Sequence, residues 1–172
     1  NVNLQENNGY TALMRGNIEI VELLLNKGAN VDLQNEDGDT ALIGASSYNH
    51  NEKIVELLLN KGANVDLQNK KGNTAIMTAT EKEHIKVIKL LIEKGANIEL
   101  KNKEGKTALM IATEMGHTEI IKLFKNIIDE VKSNMNIEQL ELKLNQENIN
   151  IDFQDKNGDT ALIHATKLEN IE

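Results

Sequence analysis

Two kinds of apolar run alternate along this chain. The longer is Ile54, Val55, Leu57, Leu58 and Leu59, closed by Gly62. Its apolar positions spread over a wide arc, as in a helix covered by neighbours on both sides. The shorter is Ala41, Leu42, Ile43 and Ala45, with Thr40 in front of it as a helix N-cap. A tight connection joins the two, so the pattern predicts a short helix followed by a longer one. The same pair returns. Thr74, Thr107 and Thr160 precede equivalent short runs, and Gly28 and Gly95 share the place of Gly62, where a left-handed residue ends a helix. Asn35, Asn69, Asn102 and Asp155 stand three residues before the next glycine, where a short polar side chain closes a turn.

The recurrence is literal. GDTALI occupies 38–43 and again 158–163, with near copies GYTALM at 9–14, GNTAIM at 72–77 and GKTALM at 105–110. Their glycines, Gly9, Gly38, Gly72, Gly105 and Gly158, are spaced 29, 34, 33 and 53 residues apart. NKGANVDLQN occurs at 26–35 and 60–69, EKGANIELKN at 93–102, and a degraded version, ENINIDFQD, at 147–155. One such unit cannot bury its apolar face alone; stacking neighbours can.

A period of 33 carrying G-x-T-A-L-[MI] and G-A-N-[VI] resembles the ankyrin repeat, whose pattern is D-x-x-G-x-T-P-L-H-x-A followed by E-x-V-x-x-L-L-x-x-G-A-x-[VI]. The resemblance covers nearly the whole chain. It implies an all-α fold, an ankyrin-repeat solenoid of stacked helix-turn-helix units with projecting hairpin-like loops, one repeat carrying a helical insertion. The array is expected over 1–172: residues 1–8 as the tail of a preceding repeat, repeats at 9–37, 38–71, 72–104 and 105–157, and a partial repeat at 158–172. Two departures stand out. The family Pro is Ala in each copy (Ala12, Ala41, Ala75, Ala108, Ala161), which leaves a good helix former in place. The family His is Met14, Ile43, Met77, Met110 or Ile163, so a polar ladder near the loops is expected to be missing and replaced by apolar contact.

Two copies differ in length. After GYTALM the chain jumps to RGNIEIVELLLNKG. Either the first helix is truncated, or the sequence joins residues across an omitted stretch between Met14 and Arg15; the second reading is preferred here. The fourth copy carries about 20 extra residues near 129–148. Its second helix starts near Glu119 and continues past Asp129, Ser133 and Asn134 read as a break, and Asn136 caps a further helix with Ile137, Leu140 and Leu144 on one side. The insertion is either tolerated at a repeat edge or a partner-specific projection. The chain begins at Asn1 rather than Met and stops inside a repeat, so further repeats are expected beyond both ends.

Composition narrows the chemistry. Hydrophobic residues make up 40% and aromatics 2%, so the chain folds around an aliphatic core. The absence of Cys removes disulfides and thiolate metal sites and fits a cytoplasmic or otherwise intracellular setting. With a net charge of −8 and no basic run, the chain is a poor nucleic-acid ligand. No stretch approaches the roughly 18–20 apolar residues of a membrane helix, so no membrane partner is expected.

Reactive groups are sparse. His50, His84 and His117 recur in step and read as structural turn residues, since copies about 10 Å apart cannot share one metal shell. His164 reads as a surface residue. Ser46 and Ser47 lie near His50 without a nucleophile elbow, and Glu36, Asp37 and Asp39 lack calcium-loop spacing. NKGAN lacks the rest of a phosphate loop, and Met77, Met110 and Met115 read as core filler. No catalytic residue, metal or cofactor is expected.

The ankyrin resemblance instead implies a non-catalytic protein-protein interaction module, using loop tips and the concave face of the first helices. The tip positions are Glu36, Asp37 and Asp39; Lys70, Lys71 and Asn73; Lys103, Glu104 and Lys106; and Lys156, Asn157 and Asp159. The helix positions are Ser47 and Tyr48, Glu81 and Lys82, Glu114 and Met115, and Lys167 and Leu168. These vary between copies while the framework repeats, so packing does not dictate them. Tyr48, Met115 and Leu168 are apolar or aromatic where solvent is expected, and Tyr is a favoured hot-spot residue. The partner is expected to be another protein, with the isolated array monomeric. The alternative is a spacer or regulatory array of a larger multidomain enzyme whose catalytic domain lies outside this chain.

Overall fold

A computed structural model describes residues 1–48 and 50–134. The chain divides into two units, Asn1–Phe124 and Lys125–Glu172. The described residues form eight α-helices: α1 Ala12–Arg15, α2 Ile18–Asn26, α3 Ala41–Ser46, α4 Glu52–Asn60, α5 Ala75–Glu81, α6 Ile85–Glu93, α7 Ala108–Met115 and α8 Thr118–Asn134. Among them the only extended pairing is an isolated bridge between Gln5 and Thr11. Of the second unit, only the continuation of α8 to Asn134 is described.

Each odd-numbered helix starts at a threonine in extended conformation. The hydroxyls of Thr11, Thr40, Thr74 and Thr107 accept from the backbone N–H three residues on, at 3.4, 3.2, 3.5 and 3.3 Å. They satisfy donors that a helix start leaves free. The even-numbered helices α2, α4 and α6 end alike. The glycine N–H reaches the carbonyl of Leu25, Leu59 or Ile92, and the following alanine N–H reaches that of Leu24, Leu58 or Leu91. This Schellman arrangement needs a left-handed residue, supplied by Gly28, Gly62 and Gly95 with φ of 78°, 83° and 83°.

Within Asn1–Phe124, α1, α3, α5 and α7 touch in succession as one layer, and α2, α4 and α6 touch as a second. Between the layers lies an aliphatic core. Leu42, Ile76, Met77 and Ala79 face Val55, Leu58, Ile88 and Leu91, all at most 1% exposed, and Phe124 is the one aromatic in it. Removing such a side chain from water contributes about 1.5–3 kcal/mol, so the stacked joints carry most of the stability.

The chain passes from Met14 to Arg15 inside α1, which makes one turn and stops at Gly16. α8 includes Ser133 and its described part ends at Asn134, where a break is expected from the sequence. The helix expected after Asn136, and every expectation placed on residues 135–172, lies outside the described residues.

Candidate functional site

The loop tips are built by asparagine. The side-chain oxygen of Asn69 accepts from the N–H groups of Lys71 and Asn73 at 3.0 and 2.9 Å. Asn35 does the same for Asp37 and Asp39, and Asn102 for Glu104 and Lys106. Each tip also bonds its neighbour through the backbone: Lys70 N–H to Asp37 O at 2.8 Å and Lys103 N–H to Lys71 O at 2.9 Å. A Cβ on Gly38 or Gly72 would stand 2.7 Å from those donating nitrogens, so glycine is required there for close approach as well as for φ of 78°.

The expected loss of a polar ladder is wrong, because other residues supply one. Asn69 Nδ2 donates to Asp39 Oδ1 at 2.8 Å, and Asn102 Nδ2 to Asn73 Oδ1 at 2.9 Å. Beside this run glutamines: Gln5, Gln34 and Gln68 each donate to a carbonyl of their own tip and to one of the next repeat. A third series joins Asn3 to the N–H of Asn30, Asp32 to that of Asn64 and Asp66 to that of Asn97. The first series ends where its chemistry ends. Asn35 Nδ2 is buried without a partner, because the place of Asp39 and Asn73 is taken by Tyr10, which offers no side-chain acceptor there.

Between α5 and α7, with the tips that precede them, lies a cleft of about 330 Å³. Lys71, Asn73, Glu81 and Lys82 form one wall. Asn102, Glu104, Lys106, Ile111, Glu114 and Met115 form the other. All but Asn102 and Ile111 belong to the set selected from sequence. Ile111 had a signal: it stands where the earlier copies have Gly44 and Thr78, a bulky apolar residue at a small or polar position. Lys106 Nζ bridges Glu114 at 2.7 Å and Glu104 at 3.0 Å. These bonds, that to Glu114 foremost, hold its ammonium pKa above the usual lysine value. Asn73 Nδ2 donates to Glu81 at 3.1 Å. Asn73 is buried and bonded on both sides, to Glu81 of its own repeat and to Asn102 of the following tip.

The other selected residues lie apart from the cleft. Glu36, Asp37, Lys70 and Lys103 are exposed on the tips, and Asp39 is half-buried in its rung. Tyr48 is 66% exposed at the end of α3, while the neighbouring Ser47 hydroxyl donates to Gly44 O at 2.7 Å. Met115 is 52% exposed, as expected of a contact position, but Met110 is 49% exposed too, so the core-filler reading holds only for Met77. Met77 has described helices on both sides; Met110 has one on one side only. Lys156, Asn157, Asp159, Lys167 and Leu168 lie outside the described residues, as do Asp155, Thr160, Ala161, Ile163 and His164.

The histidines do not share one position. His84 and His117 directly precede α6 and α8, whereas Asn51 holds that place before α4. His50 falls one residue earlier, on the left-handed turn position (φ 66°) that Glu83 (φ 58°) and Gly116 (φ 74°) occupy in later copies. His84 Nδ1 lies 3.0 Å from Ser46 O, and His117 Nδ1 lies 3.5 Å from Glu83, so each ties its turn to the one before. The Ser46 hydroxyl donates to Leu42 O within α3. Among the described residues no group of three or more His, Cys, Asp or Glu side chains could hold a metal ion. No described helix is long and apolar enough to cross a membrane.

The family pattern of ankyrin repeats (three copies) matches residues 1–69 and 45–134. A comparison with curated proteins gives no match.

Proposed function

The chain belongs to the ankyrin-repeat family, and from that premise we propose that it receives a partner protein on its loop tips and on the α3, α5, α7 side. Ankyrin repeats are generally protein-interaction modules and typically non-catalytic. One observation carries the finer reading. The repeated framework residues are engaged in turns, ladders and core, while eight of the varying residues, Lys71, Asn73, Glu81, Lys82, Glu104, Lys106, Glu114 and Met115, line one cleft. The mechanism is rigid presentation. Tips bonded through both backbone and side chain lose little freedom on association, which lowers the ordering cost of binding.

The test is affinity measurement with a partner captured from the source cell. Tyr48→Ala is expected to weaken binding by roughly 1–2 kcal/mol or more, and Met115→Ala to weaken it as well. Unchanged dissociation constants for both variants would remove this face from the site.

A further inference from the structure

We propose that the cleft between α5 and α7 takes an acidic segment of the partner with one apolar anchor, its carboxylates on Lys71 and Lys82 and its apolar side chain against the exposed Met115. The proposal rests on the protein-binding reading above and adds the chemistry of the partner.

By formal charge the cleft is balanced, with Lys71, Lys82 and Lys106 against Glu81, Glu104 and Glu114. The groups are not equally available. Glu104 and Glu114 share the Lys106 ammonium, and Glu81 accepts from Asn73. Every carboxylate on the cleft wall is thus engaged within the protein. Lys71 and Lys82 are exposed and carry no carboxylate partner among the described residues, so the unengaged groups are ammonium donors. Charge-assisted bonds to carboxylate are the strong interactions such donors make. Lys70 and Lys103, exposed on the adjoining tips, add two further ammonium groups beside the balanced cleft. Glu36 and Asp37 stand on the preceding tip and repel a carboxylate placed there, which fixes the register of an acidic segment along the row. The exposed Met115 supplies adaptable apolar surface beside these cations. A nucleic acid also offers anions, but a chain of net charge −8 with acidic residues on the next tip opposes an extended polyanion.

The test is fluorescence anisotropy with labelled Ser-Asp-Glu-Leu-Asp-Glu-Ser, the same peptide with Phe or Met at the apolar place, and a counterpart with Asn and Gln replacing Asp and Glu. The chain is used whole, as wild type, Lys71→Glu/Lys82→Glu, Met115→Ala, and a control, Lys27→Glu/Lys89→Glu, that changes the net charge equally away from the cleft. Acidic peptides are expected to bind wild type and control alike. Binding should fall at least tenfold in Lys71→Glu/Lys82→Glu and at least tenfold for the amide peptide. Equal losses in the control, equal binding of the amide peptide, no binding by any acidic peptide, or equal binding of oligothymidylate would each overturn the proposal. If amide and acidic peptides bind equally and Met115→Ala weakens both, the cleft still binds protein and only the charge assignment fails.

Discussion

At the scale of single residues, the sharpest contrast is between Asn35 and Asn69. Both accept two backbone N–H groups of their own tip. Only Asn69 also donates across to the preceding tip, to Asp39, while the equivalent Asn35 amide is buried and unpartnered. Asn69→Ala therefore loses the turn bonds and strands Asp39, at an expected cost of about 2–3 kcal/mol. Asn35→Ala loses its turn bonds but relieves an orphaned donor, and about 1 kcal/mol is expected. Denaturant unfolding of the two variants measures the difference; equal losses would show that the rung contributes nothing. The turn role of these asparagines was legible in their spacing before each glycine. The rungs were not, because a rung needs two side chains from different repeats, and the expectation followed the family His rather than the Asp and Asn present here. Asn73 carries the same lesson: it varies between copies, yet it is buried and bonded to Asn102, so variation alone does not mark a free surface.

At the scale of elements, the glycines divide into two jobs that one substitution separates. Gly62 ends α4 at φ 83°, with open space where a Cβ would stand. Gly72 combines φ of 78° with a Cβ position 2.7 Å from the Lys103 nitrogen. Gly62→Ala should lose only the left-handed allowance, about 1–2 kcal/mol. Gly72→Ala should lose that and also push two tips apart, raising the loss above Gly62→Ala by about 1 kcal/mol or more. Thermal unfolding of the pair checks this; a Gly72→Ala variant no worse than Gly62→Ala would show that the tips yield freely. Helix existence was readable because a Thr, an apolar run and a glycine at fixed offsets dictate start, face and stop. The turn between α3 and α4 was not. The stretch from Thr40 to Asn51, the residue before α4, is one residue longer than those from Thr74 to His84 and from Thr107 to His117, and counting from the preceding glycine aligned His50 with His84 and His117 when the helix itself aligns Asn51. The cleft was half legible: the varying positions were named from sequence, but that they converge depends on how α5 and α7 pack.

At the scale of the whole molecule, stability resides in joints rather than in repeats. α5 touches both α3 and α7, whereas α1 meets the other odd-numbered helices only at α3. Ile76, wholly buried in α5, thus belongs to the pair that links the rest. Ile76→Ala removes about 2–5 kcal/mol through lost burial and the cavity left behind. In a quasi-one-dimensional stack that loss weakens nearest-neighbour terms on both sides, so amide exchange should accelerate through α3, α5 and α7 together. Leu13→Ala, in α1 and 3% exposed, acts at a single joint and should accelerate exchange in α1 and α2 with little effect beyond α3. Native-state hydrogen exchange resolves the two patterns. If Ile76→Ala loosened α5 alone, the helix pairs would be independent units. The tips on α5 and α7 would then no longer be held in register, and a cleft that needs both walls would not present Lys71, Lys82 and Met115 as one surface.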